Sequence, residues 1–176
     1  FRSHGMTREA DKQTHEKYAK ADVNPLFTFA VPGYNMRSTE INAVLGLEQI
    51  KRLDQNIEKR QKNLKIWLKN LNNVLYYNEY IVEGSSNYAL PLILRKNNNK
   101  IKEVCKILEE EGVEYRLGTA GGGNQARQPY LERYGYKVVG NLNTSDYIHD
   151  FGLYLGNHPE LSEEQILHLC ARLNDV

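Results

Sequence analysis

Cysteine, methionine, tryptophan and proline are all scarce in this 176-residue chain, with two, two, one and five copies, and neither sign of charge dominates. Each scarcity excludes something. Cys105 and Cys170 both fall on the apolar faces of predicted helices, where a thiol acts as a small hydrophobe, so no disulfide framework or cysteine metal site is expected. The 23 basic and 22 acidic side chains leave a formal charge of +1. That balance argues against a nucleic-acid or anionic-membrane partner, and any anion must be held locally. No apolar run approaches the roughly 20 residues that span a bilayer, and no basic start leads into an apolar centre as in a signal peptide. The expectation is a soluble, cytoplasmic protein. Its length suits one domain, or a small domain with a piece of another, and the start at Phe1 reads as the downstream part of a longer protein.

The first thirty residues read as loop-rich. His4 and His15 lack metal-like partners at suitable spacing and are expected to be solvated or to fix loops. Gly33-Tyr34-Asn35-Met36-Arg37-Ser38-Thr39-Glu40 then joins this loop to the longest helical pattern. Gly33 frees the backbone, Ser38 or Thr39 suits an N-cap, and a helix start with Tyr34, Asn35 and Arg37 beside it suits a phosphate or carboxylate. From Ile41 to Leu71 the apolar residues recur at three and four, which predicts a long amphipathic helix, bent or broken near Leu53-Asp54. Its basic cluster is interleaved with acids and reads as a solvated face.

Downstream the period changes. Val74–Tyr77 and Asn87–Leu94 are predicted strands, the second at an edge or with a bulge because Pro91 lacks an amide proton. Asn97-Asn98-Asn99 offers the cap of a helix with Ile101, Val104, Cys105 and Leu108 on one face, which Gly112 ends. Val113–Arg116 reads as another strand, giving a small α/β layer. Gly121-Gly122-Gly123 cannot pack a core but permits close backbone approach, and Asn124, Arg127 and Gln128 supply donors for phosphate, a base edge or sugar hydroxyls. The stretch matches neither the P-loop nor the dinucleotide fingerprint. A short helix follows over 143–150, and His158 reads as a turn residue. Ser162 and Gln165 then form a capping box, with Leu161 and Ile166 as its hydrophobic staple, opening a last helix.

Four stretches in this order, Arg2-Ser3-His4-Gly5, Gly33 to Ala43, Gly123-Asn124-Gln125-Ala126-Arg127-Gln128-Pro129 and Gly156-Asn157-His158-Pro159-Glu160-Leu161-Ser162, resemble the DegT/StrS-type sugar aminotransferases. The branch most resembled acts on nucleotide-linked 4-keto-6-deoxyhexoses and includes 3-dehydratases. The resemblance implies an α/β protein, the C-terminal part of a type I aminotransferase fold using pyridoxal 5'-phosphate, with the pyridoxamine form in turnover. Residues 1–50 would be the tail of the large cofactor domain and an interface loop, and 51–176 the small domain, the main cofactor domain lying upstream. It further implies a homodimer with the active site at the subunit interface, Asn35 reaching the neighbour's cofactor phosphate, and Tyr34 and Arg37 lining the same mouth. Arg2 and His4 would lie near the cofactor end, and Asn124, Arg127 and Gln128 would face the nucleotide-sugar.

No Ser-x-x-Lys, the setting of the family's cofactor lysine, occurs in the chain, so no catalytic residue is assigned here and the isolated segment is expected to be inactive. In the dehydratase branch a histidine replaces that lysine. The leading expectation is an aminotransferase in surface-polysaccharide synthesis, with glutamate as amino donor. A nucleotide-sugar 3-dehydratase is the alternative, and a non-catalytic dimerisation or sugar-binding module is the second alternative.

Overall fold

A computed structural model of the chain describes residues 5–7, 10–19, 24, 28–31, 34, 38–95, 100–118, 123–127, 129, 131 and 135–176. The chain divides into two compact units, Phe1–Arg52 and Leu53–Val176.

In the first unit, Thr7 and Ala30 donate their amides to the carbonyls of Thr28 and Gly5, both at 2.9 Å, around an antiparallel bridge between Met6 and Phe29. Gly5 has a φ of 78°, and a Cβ there would lie 1.9 Å from the Val31 carbonyl oxygen, so only glycine fits. Within the stretch expected to be loop lies a helix, α1 (Lys12–Tyr18). Its signal is local: the Asp11 carboxylate accepts from the Thr14 amide at 2.9 Å. His15 Nδ1 meets the Thr7 hydroxyl at 3.0 Å, which fixes the loop as the sequence implied. Helix α2 (Glu40–Ile50) is capped by Thr39, whose hydroxyl accepts from the Asn42 amide at 3.3 Å.

The second unit begins with α3 (Leu53–Asn70), so the predicted long helix is two helices with the interruption at Lys51-Arg52. Strand β1 (Ala89–Ile93), helix α4 (Ile101–Glu110), strand β2 (Tyr115–Leu117), helix α5 (Asn143–Phe151), strand β3 (Gly152–Gly156) and helix α6 (Glu163–Asn174) follow. The last strand in sequence is the middle one in space: the order is β1-β3-β2, with both neighbours antiparallel to β3. Pro91 therefore sits on an edge strand, where its missing amide costs no ladder bond, and its carbonyl accepts from Trp67 Nε1 at 2.8 Å. Leu90, Leu92, Leu153 and Leu155 turn one face of the sheet toward Leu64 and Trp67 of α3, Val104 and Leu108 of α4, and Ile166, Cys170 and Leu173 of α6. Burial pushes the Cys170 thiol up to about 12, as expected of a core hydrophobe. No helix among the described residues is long and apolar enough to cross a membrane.

Two local expectations are corrected. Val74–Tyr77 is a turn rather than a strand: the Asn72 carbonyl collects the amides of Leu75 and Tyr76, its side chain collects that of Val74, and only Tyr76 bridges to Leu94. The cap of α4 is Lys100, with no side-chain cap bond, while Asn97-Asn98-Asn99 lie outside the described residues. The capping box of α6 is present in full.

Helix and sheet are tied by a buried pair of amides. Asn63 Nδ2 on α3 donates to Asn157 Oδ1 and to the His158 carbonyl, both at 3.1 Å. Asn157 Nδ2 donates to the carbonyls of Arg60 at 3.0 Å and Asn87 at 2.9 Å, and its backbone amide to that of Tyr88 at 2.8 Å. Removing this amide strands several buried partners. Asn157→Ala is expected to cost about 3 kcal/mol, read as a lower urea midpoint with an unchanged slope.

Candidate functional site

A glycine turn and the helix it leans on make the best-defined polar site. Gly118 and Gly123 both take positive φ, 72° and 82°, and approach so closely that a Cβ on Gly118 would lie 2.6 Å from the Gly123 Cα. A Cβ on Gly123 would lie 2.4 Å from His149 Nδ1. The loop thus rests directly on α5, and glycine alone permits that approach.

Three α5 side chains at i, i+3 and i+4 receive the loop. Asp146 accepts from Asn124 Nδ2 and from Arg127 Nε, both at 2.8 Å. His149 Nδ1 accepts the Asn124 amide at 3.1 Å, which requires that nitrogen to be unprotonated. Asp150 takes the Arg127 guanidinium in bidentate fashion, Nη1 at 2.6 Å and Nη2 at 3.2 Å. Asn124 Oδ1 turns back to accept the Ala126 amide at 3.0 Å, starting the short 3-10 turn Gln125–Arg127. The hydrogen bond from Asn124 holds the Asp146 carboxyl below its ordinary value, and that from Arg127 does the same for Asp150.

Beside this clamp opens a cleft of about 480 Å3, walled by Gly118, Gly123 and Gln125 of the loop, Tyr136 and Lys137 of the following segment, and Ser145 of α5. Such a volume lies within the range of small-molecule sites, roughly 300–1,000 Å3. The Tyr136 hydroxyl donates to the Ala126 carbonyl at 3.1 Å and closes one side.

Of the sequence-derived site residues, Asn124 and Arg127 are brought together, with their polar atoms engaged on α5; Asn124 is buried and Arg127 half-exposed. Tyr34, in the other unit, is 77% exposed. Arg2, His4, Asn35, Arg37 and Gln128 lie outside the described residues. Sequence reading missed Asp146, His149 and Asp150, although their helical spacing was a usable signal, and it passed over Tyr136 and Lys137. Among the described residues no group of three or more histidine, cysteine or acidic side chains could hold a metal ion.

A model of the DegT/DnrJ/EryC1/StrS aminotransferase family matches residues 1–174. A GDP-4-keto-6-deoxy-D-mannose 3-dehydratase of Yersinia pseudotuberculosis is 32% identical over 174 residues, covering 96% of this chain and 44% of that protein. The lipopolysaccharide biosynthesis protein RfbH of Salmonella typhimurium (strain LT2) is 29% identical over 155 residues, covering 85% and 35%. The solved Escherichia coli GDP-4-keto-6-deoxy-D-mannose 3-dehydratase with bound hydrated PLP superposes with a TM-score of 0.83 at 28% identity, covering 98% of this chain and 45% of that one. The chain thus spans about half the length of the relatives it matches, or less, and its fold is that of the C-terminal part of PLP fold type I enzymes.

The lowered carboxyls set a pH window for the clamp. A carboxylate with a lowered folded-state pKa contributes its full share above its ordinary value and loses it as pH falls through the lowered one. The NMR signal of Arg127 Nε–H is therefore expected to shift as pH falls below 3.8, the ordinary aspartate value, where Asp146 and Asp150 take up their protons.

Proposed function

Because the chain belongs to the DegT/DnrJ/EryC1/StrS aminotransferase family, we propose that it is the C-terminal part of a PLP-dependent enzyme that removes the 3-hydroxyl of a GDP-linked 4-keto-6-deoxyhexose. The observation that carries this reading is the 32% identity to a 3-dehydratase of that substrate over 174 residues. The likeness in fold to a second such enzyme, and the similarity to a lipopolysaccharide biosynthesis protein, support it. The order of the sequence-derived readings is thereby reversed, since dehydration was the alternative to aminotransfer. Aminotransfer is the second reading, favoured by the family match itself.

Within this proposal, residues 1–50 close the large cofactor domain and 51–176 form the small one. Helix α2 supports a homodimer with its active site at the interface: Ile41, Val44, Leu45, Leu47 and Ile50 are all at least 60% exposed, an apolar surface that needs a cover in the working protein. The described part of the loop before it fits the phosphate end of PLP, because the free Tyr34 phenol precedes the capped helix start at Thr39. Tyr34, Asn35 and Arg37 would hold that phosphate, with Arg2 and His4 toward the cofactor end of the cleft. When bound, the group supplies an electron sink for breaking bonds next to the sugar carbonyl. Glutamate would supply the nitrogen that restores the pyridoxamine form.

This chain's own contribution is binding and position. Asn124 and Arg127 fix the glycine loop on α5, and with it one wall of the cleft where the nucleotide-sugar would lie. Gln128, outside the described residues, would also face the nucleotide-sugar. An orienting wall built on a helix holds its geometry more tightly than a free loop does.

Product analysis tests the reading. The intact protein, given GDP-4-keto-6-deoxymannose, PLP and glutamate, is expected to yield by mass spectrometry a sugar lacking its 3-oxygen. A product in which an amine replaces the carbonyl oxygen would establish aminotransfer instead, and no turnover without cofactor uptake would leave the non-catalytic module. Asn35→Ala is expected to weaken cofactor retention about tenfold or more, as loss of a hydrogen bond to a charged group does, with the dimer intact by gel filtration.

A further inference from the structure

A hollow of about 520 Å3 lies at the end of the sheet where β1 and β2 begin and β3 finishes. Gly156 lies opposite Ala89 in the ladder, on the face away from the leucine core, so this pair leaves room on the sheet beside Tyr154 and Arg116. Around it stand Tyr88, Tyr154, Glu114, Arg116 and His158. The hollow is kept open by the glycine: a Cβ at position 156 would lie 2.7 Å from His158 Nε2 and would drive the imidazole away.

The walls are held from behind. Tyr88 and His158 each adjoin or bond the buried Asn157 node, Tyr88 through its carbonyl at 2.8 Å and His158 through its carbonyl to Asn63 at 3.1 Å. Arg116 and Tyr154 are register partners across β2 and β3. The two tyrosine rings meet edge to face, centroids 6.0 Å apart at 77°. The neighbouring Tyr154 phenol raises the Tyr88 phenol above its ordinary value, and the Arg116 charge opposes that shift. Among the described residues Arg116 is paired with Glu114, at 3.7 Å with both side chains at least 70% exposed. An exposed pair of that kind contributes little and leaves the guanidinium free to turn to a better acceptor.

We infer that this hollow binds a pyranose ring bearing a carboxylate, with the ring's C–H face on a tyrosine, its hydroxyls on Glu114 and His158, and its carboxylate on Arg116. The perpendicular rings offer one ring face and no parallel slot, and with polar groups around it that face suits the puckered, hydroxyl-rimmed sugar. One arginine against one glutamate and no wider positive field suits a single negative charge rather than a diphosphate. The site does not rest on the dehydratase proposal, because every group in it belongs to this chain and none is assigned to turnover.

Saturation-transfer NMR and titration calorimetry on the intact protein test it, with glucuronate, glucose and GMP as probes. Glucuronate is expected to bind and to receive saturation on its ring protons, and glucose to bind at least tenfold more weakly. Arg116→Gln, at an exposed position that does not threaten folding, should remove at least tenfold of the glucuronate affinity while leaving the thermal midpoint unchanged. Gly156→Ala should do the same by displacing His158. Absence of glucuronate binding, binding that both variants leave unchanged, or displacement of glucuronate by GMP at lower concentration would each overturn the inference.

Discussion

The amide pair Asn63–Asn157 is the constraint on which the second unit depends. A polar group taken out of water costs free energy unless every donor and acceptor finds a partner, and here the partners come from three places: α3, the segment leading into β1, and the turn after β3. Apolar burial would be nearly as favourable with α3 slid along the sheet, because leucine contacts are not directional. The amides are directional. They set the one register of α3 in which Trp67 reaches the Pro91 carbonyl and Leu64 enters the core. Asn174 repeats the device at the far end of α3, accepting the Asn72 amide and donating to the Asn70 carbonyl, each at 2.8 Å.

The glycine loop is fixed by a buried amide, Asn124, together with exposed charge. Arg127 spans Asp146 and Asp150, one turn apart on α5, so a single planar guanidinium reads the helical repeat. At the surface such pairs supply little stability, but they define where a segment without apolar side chains lies. Stability and position are thus assigned to different parts of the unit. The leucine core and its amides keep it folded, and the clamp on α5 shapes the cleft.

Much of this was legible in the sequence because its cause is local. Ser162 and Gln165 lie within one turn, Gly112 ends α4 with a φ of 66°, and Pro91 excludes a central strand whatever surrounds it. What escaped was set by distant residues. Gly152–Gly156 alternates apolar residues with glycine and tyrosine, and only its two partners, far upstream, make it the central strand. Val74–Tyr77 has strand-like composition, yet the carbonyl and side chain of Asn72 capture the amides of Val74, Leu75 and Tyr76, leaving only that of Tyr77 to pair with the Ile93 carbonyl. Asn124 and Arg127 were legible as polar residues beside glycines, but the direction in which they point is decided by α5, whose Asp146-x-x-His149-Asp150 spacing carries that information. Asn157 was given no role beside His158, since burial cannot be read from its neighbours alone.

The placement of β3 also bears on how the protein comes into being. Strands β1 and β2 leave the ribosome first, but neither touches the other; each must wait for residues 152–156 before its backbone bonds can close. The core waits longer still, since α6 supplies Ile166, Cys170 and Leu173, and the Tyr76 hydroxyl ends on the Leu173 carbonyl at 2.6 Å. Synthesis therefore passes through a long interval in which two unpaired strands and the apolar stripe of α3 are all present without a partner, the state in which chains associate wrongly. A unit closed by its last two elements cannot fold until residues 152–174 have been made, and its yield in the cell is governed by how that interval is protected.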